Sequence, residues 1–335
     1  MRQPRSNPKQ KRATQRETWH VFDRTIKYLL YETNPANTVS LINALFERRY
    51  AYDSPVSFAK TESTRKHGKT VGLFHADAMV SVADDRFAIE FQTSDSRIIG
   101  LRIFEYGFMN ALGRKRVSDD GGLIEMDLPD ACVVYFESSG TTPGEITFRL
   151  TNKAGGESFD YRVRVFKMEE QSLESLERQR LLLLLPFWLM RFRRELERVK
   201  AKAEDRRAIA QKEMRTLDEL EDILVRARDN GFLGTDDGIM IMESISQMHE
   251  ELYGSYPEFQ EVSMAVDKRI KLRWAPFKRK LIKDTWAEAS AKTMAETESR
   301  IIGLFKQGHT VEEVEKLLAR EKAVQAADAS GDTPK

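Results

Sequence analysis

The chain has 335 residues, 41% of them hydrophobic and 32% charged, enough for one ordinary core with an extended, polar helical part. A single cysteine, Cys132, excludes a disulfide framework and a cysteine-built zinc site within the chain, and points to a reducing, cytoplasmic setting. The longest apolar stretch, Leu181 to Met190, is about half of the roughly 20 residues a membrane-spanning helix requires, and arginines flank it, so no membrane partner is expected.

Net charge is +1, but its distribution is uneven. Residues 1 to 16 hold six basic side chains and no acid, which reads equally as a solvated disordered arm (1–18) or as a contact to nucleic acid. No apolar segment precedes Trp19, so nothing there resembles a secretory signal.

From Trp19 to Arg49 apolar residues recur at helical spacing on either side of Asn34-Pro35, predicting two helices, the second capped by Asn37 or Thr38. Residues 51 to 70 are polar and turn-rich, with a basic loop at Arg65, Lys66, His67 and Lys69. Val71 to Val82 and Arg86 to Thr93 then read as a β-hairpin around Ala83-Asp84-Asp85.

Ile98 to Leu112 returns to a helical period, with Ile98, Leu101, Phe104, Phe108 and Leu112 as its apolar stripe. Three strands follow, at Ala131 to Glu137, Ile146 to Leu150 and Phe159 to Met168. After Glu169 strand signals vanish and Leu-rich, charged helical segments run on, broken at Asn230-Gly231 and Pro257. Leu173 to Leu224 is long enough for a helical arm, so a homodimer stays open, and residues 322–335 read as a disordered tail. The chain thus divides into an α/β domain over 19–168 and a mostly α-helical region over 169–321.

With the hairpin turn centred on Asp84-Asp85, Ala83 pairs with Arg86, Asp77 with Gln92, and Met79 with Glu90. Asp77, Glu90 and Gln92 then share one face, with Asp77 and Glu90 as diagonal neighbours about 7 to 8 Å apart. Phe87, Ile89 and Phe91 take the other face. Two converging carboxylates repel, and a hard divalent cation such as Mg²⁺ or Mn²⁺ relieves that repulsion. Such an ion acidifies a bound water and stabilises the charge on a phosphate under in-line attack.

The runs Ala76-Asp77-Ala78-Met79-Val80, Ile89-Glu90-Phe91-Gln92 and Arg102-Ile103-Phe104-Glu105-Tyr106 resemble the PD-(D/E)XK nuclease family transposases, related to the Rpn recombination-promoting nucleases. Phe22-Asp23-Arg24-Thr25-Ile26-Lys27 and Leu41 to Phe46 resemble that family's first two helices. Leu128-Pro129 leading into Cys132 to Phe136, and Gly308 to Glu313, resemble further segments of it.

The resemblance implies a restriction-endonuclease-like core, a mixed central sheet flanked by helices. It also implies an endonuclease that hydrolyses DNA phosphodiesters in recombination, transposition or defence. Asp77 and Glu90 become metal ligands, with Asp23 as a further acidic position, and Gln92 stands where the motif has lysine. Ala76 replaces the motif's proline. A neutral amide cannot supply the lysine's charge, which leaves Lys27 or Arg102 to do so. Arg102 and Tyr106, one helical turn apart, read either as a phosphate contact with a stacking ring or as plain helix surface. The rival reading is a catalytically inactive relative that binds nucleic acid or a protein partner through its helical half. Arg300 to Leu318 has the length of a helix-turn-helix fragment, although Thr310 and Glu313 read better as a helix cap.

Overall fold

The computed structural model describes residues 21–59, 62–67, 70–75, 77–93, 98–199 and 203–274, with residues 62–67 and 70–75 described by their backbone alone. The basic arm of residues 1–18, the 300–318 segment and the tail lie outside the described residues.

Residues 21–32 form helix α1, and α2 spans Pro35–Phe46. The cap of α2 is Asn34, whose side chain accepts from Ala36 N at 2.9 Å, with Pro35 in the first turn. Proline's fixed φ is ready for a helix start and its missing N–H is not needed there, so α2 begins before the predicted caps Asn37 and Thr38, which are buried within it.

Strands β1 (Val56–Phe58), β2 (Glu62–His67), β3 (Thr70–His75), β4 (Ala78–Val82) and β5 (Asp85–Gln92) follow. Three expectations change here. The predicted loop contains β1 and β2, and Arg65, Lys66 and His67 lie on a strand. The predicted strand Val71 to Val82 is two strands: β3 pairs only with β2 in a sheet of its own, and β4 pairs with β1 and β5.

Helix α3 (Ile99–Leu112) leads to the short strands β6 (Arg116–Val117) and β7 (Ile124–Glu125), then to β8 (Asp130–Tyr135), β9 (Glu145–Thr151) and β10 (Ser158–Lys167). The result is a six-stranded mixed sheet in the order β1-β4-β5-β8-β10-β9. Strands β5, β8 and β10 run parallel, and the outer pairs are antiparallel.

One sheet face presents Val80, Phe87, Ile89, Phe91, Cys132 and Val134 to α1 and α2. The other presents Met79, Ala88, Val133, Tyr135 and Val163 to Ile99 and Ile103 of α3. Of the predicted stripe only Phe104 packs inward, against Phe148 and Tyr161; Ile98 and Leu101 are 64% and 55% exposed, and Phe108 and Leu112 also face outward. Gly100 and Gly107 explain the choice of face. A Cβ on Gly100 would meet the Phe148 ring at 2.7 Å, and one on Gly107 would meet Pro129 at 3.1 Å. Only the glycine face lets α3 approach the sheet this closely.

Beyond β10 the chain is helical: α4 (Leu173–Arg178), a 3₁₀ segment (Leu182–Leu189), α5 (Met190–Arg198), α6 (Ala203–Asp229), α7 (Thr235–Tyr253) and α8 (Gln260–Arg269). Pro186 lacks a donor N–H and lies within the 3₁₀ segment, every residue of which is buried. Leu173 to Leu224 is therefore not an extended arm: it is broken into packed pieces, and Leu217, Leu220 and Leu224 join the same apolar cluster as α1, α2 and the sheet. Asp237 in the first turn of α7 ties the halves together. Its Oδ1 accepts from Asn34 N at 3.0 Å and its Oδ2 from Asn37 Nδ2 at 2.8 Å. No helix among the described residues is long and apolar enough to cross a membrane.

Candidate metal centre

The β4–β5 ladder pairs Val82 with Asp85, Met79 with Ala88 and Ala78 with Ile89. This register differs by two residues from the predicted one, because the turn is Ala83-Asp84 and Ala83 takes a positive φ of 52° that sequence rules reserve for Gly or Asn. The Ala83 N–H donates to Pro55 O at 3.0 Å, which anchors the turn on the strand-β1 side. Strand faces repeat every two residues, so the shift leaves the face assignment intact. One step beyond Ala78 and Ile89, it sets Asp77 directly opposite Glu90 instead of diagonal to it.

Asp77 sits just before β4, where its Oδ2 accepts from Phe91 N at 2.7 Å. Glu90 lies in the middle of the sheet with no exposed surface, and no donor among the described residues reaches either of its oxygens, leaving Asp77 as its one side-chain hydrogen-bond partner. A proton held between the two carboxyls is the one link open to them. Burial and the facing Asp77 charge push the Glu90 carboxyl up to about 9. Burial also raises Asp77, with the Phe91 N–H working against it and the Asp23 charge adding to it. Gln92, two residues along from Glu90 on the same face, is 6% exposed.

Two cations act on this acid pair, one from α1 and one from α3. Lys27 of α1 forms an ion pair with Asp23 at 2.8 Å, one helical turn away. Burial works against its charge, but Asp23 outweighs burial and the ammonium pKa rises, with Asp77 helping. Arg102 of α3 is half-buried; burial opposes its charge, while its hydrogen bond to the Tyr106 side chain and the charges of Glu90 and Asp77 favour it. Tyr106 is buried beneath α3, where it steadies Arg102.

The structure thus gathers Asp77, Glu90 and Gln92 on one face, with Asp23, Lys27 and Arg102 within electrostatic range of the acids. Asp23 is directed to Lys27, and no group of three or more His, Cys, Asp or Glu among the described residues converges as a ready-made metal cage. The donor chemistry still suits a divalent ion. Two facing carboxyls, one of them buried with no donor to either oxygen, offer the hard oxygen ligands that Mg²⁺ or Mn²⁺ prefers. The role of the Phe91 N–H escaped sequence reasoning, because only the true register brings it to Asp77. No family model, no curated protein and no solved structure matches this chain.

Proposed function

We propose that the chain is a Mg²⁺- or Mn²⁺-dependent endonuclease of the PD-(D/E)XK type that hydrolyses DNA phosphodiesters at Asp77 and Glu90. Its mixed sheet is read as a restriction-endonuclease-like core. The observation that carries the proposal is Glu90: an acid with no exposed surface and no donor, set opposite a second acid. An apolar side chain there would avoid the cost of burying an unsatisfied carboxyl, so the position serves something other than stability.

When bound, the cation supplies positive charge to the phosphate and acidifies the attacking water. The chain's own groups do the rest. Asp77 and Glu90 hold the ion, with Asp23 at the margin of the site. Gln92 positions the nucleophile by hydrogen bonds, since its amide carries no charge. Lys27 is already matched by Asp23, whereas Arg102 is steadied by a neutral phenol, so Arg102 is the better source of the charge missing from the lysine position. Resemblance to the Rpn-related transposases suggests recombination, transposition or defence. Cys132 is fully buried with its thiol pushed up to about 12, an inert state that suits a cytoplasmic protein equally well.

One observation favours the rival, a non-cutting protein that binds nucleic acid or a partner: Glu90 is closed from solvent and held neutral. A supercoiled plasmid separates the two. The nuclease reading expects nicked and linear products with Mg²⁺ or Mn²⁺, and none with EDTA or in Asp77→Asn. Intact plasmid with every metal, alongside metal-independent DNA binding, would favour the rival.

A further inference from the structure

Between α3 and β8 the chain projects as a hairpin arm, residues 113–127, in which β6 and β7 pair only with each other. The arm is internally ordered. Ser118 N donates to Leu123 O and Leu123 N to Ser118 Oγ, both at 2.9 Å, and Asp120 accepts from Gly122 N at 3.0 Å. Arg116 of β6 bonds Asp127, just beyond β7, at 2.8 Å. Yet Val117, Leu123, Ile124 and Met126 are between 38% and 57% exposed, and on α3, which leads into the arm, Phe108 and Leu112 are exposed as well.

A built hairpin that shows water four large apolar side chains and two open strand edges is a surface awaiting a partner. Its charges indicate which. Three bases, Arg114, Lys115 and Arg116, stand against four acids, Asp119, Asp120, Glu125 and Asp127. That balance gives no attraction to a phosphate backbone. Arg116 is held between Glu125 and Asp127 at 3.5 and 2.8 Å, which leaves Arg114 and Lys115 as the basic excess at the base of the arm and Asp119 and Asp120 as its acidic tip. Two copies laid antiparallel about a twofold axis set each basic base against the other's acidic tip, while the apolar side chains meet between them.

We propose that this arm is the dimerisation element of the protein, and that its occupant is the same arm of a second copy. The inference stands apart from the nuclease reading, because it is read by mass and not by cutting.

Sedimentation velocity of the full chain over a concentration series tests it, with circular dichroism to check folding. The wild type is expected to reach twice the chain mass, and Ile124→Asp to raise the dimer dissociation constant at least tenfold. Arg114→Glu with Lys115→Glu makes the arm acidic at both ends. Asp119→Lys with Asp120→Asn makes it basic at both ends, and the asparagine keeps the side-chain acceptor for Gly122. Each double variant is expected to dimerise at least tenfold more weakly alone, and an equimolar mixture of the two to regain the dimer. A wild type that stays monomeric, a dimer indifferent to Ile124→Asp, or a mixture no stronger than its components would overturn the proposal. So would loss of DNA binding in the Arg114→Glu, Lys115→Glu variant of a monomer.

Discussion

Asp77, one residue beyond the paired Ala78 and Ile89, shares a side-chain hydrogen bond with Glu90, and no other donor among the described residues reaches either Glu90 oxygen. A carboxyl raised from 4.5 to about 9 binds its proton more tightly in the folded chain than in the unfolded one. Its contribution to stability is therefore complete below pH 4.5 and is lost as pH rises towards 9, with a limiting slope of about 1.4 kcal/mol per pH unit. Urea unfolding in EDTA at pH 5 and pH 8.5 should show wild type losing more stability than Glu90→Gln over that interval. Equal losses would mean that Glu90 ionises normally.

Arg102 and Lys27 should be unequal partners in catalysis. Arg102→Gln is expected to slow plasmid cutting about 100- to 1,000-fold, the range for removing one group that stabilises transition-state charge. Arg102→Lys should recover part of the rate, while Lys27→Gln should cost less because Asp23 already neutralises that charge. The reverse order in steady-state rates would transfer the role to Lys27.

Gly100→Ala tests the packing of α3. The new methyl meets Phe148 at 2.7 Å and Ile146 at 2.9 Å. Overpacking of about 1–3 kcal/mol should exceed the roughly 1 kcal/mol that alanine gains over glycine within a helix. Because α3 also carries Arg102, cutting should fall together with the urea midpoint. Gly113→Ala, whose nearest neighbour is 3.5 Å away, is the control expected to change little.

Asp237→Ala removes the acceptor for Asn34 N and Asn37 Nδ2 at once. A loss of about 1.5–3 kcal/mol is expected for hydrogen bonds to a charged group. Since the apolar cluster runs from α1 through the sheet into α8, unfolding should remain one transition by both circular dichroism and tryptophan fluorescence. Two separated transitions would show that the helical half folds by itself.

Much of the site was legible because strands alternate. Even with the turn misplaced, Asp77, Glu90 and Gln92 stayed on one face and Phe87, Ile89 and Phe91 on the other, since a shift of two residues preserves parity. Helix α3 was harder to read. Sequence periodicity weighs large apolar residues, whereas contact with the sheet selected Ile99, Gly100, Ile103 and Gly107, where backbone approach mattered more than side-chain size. The packing of the helical half also went unseen, because nothing local marks Asp237 as the partner of a turn some 200 residues earlier.

Isothermal titration of the full chain with Mn²⁺ at two pH values reads directly whether the facing carboxyls hold a divalent cation. One site is expected that tightens as pH rises, releases a proton on binding and disappears in Glu90→Gln. Binding unchanged in that variant, or no binding to a folded wild type, would contradict it.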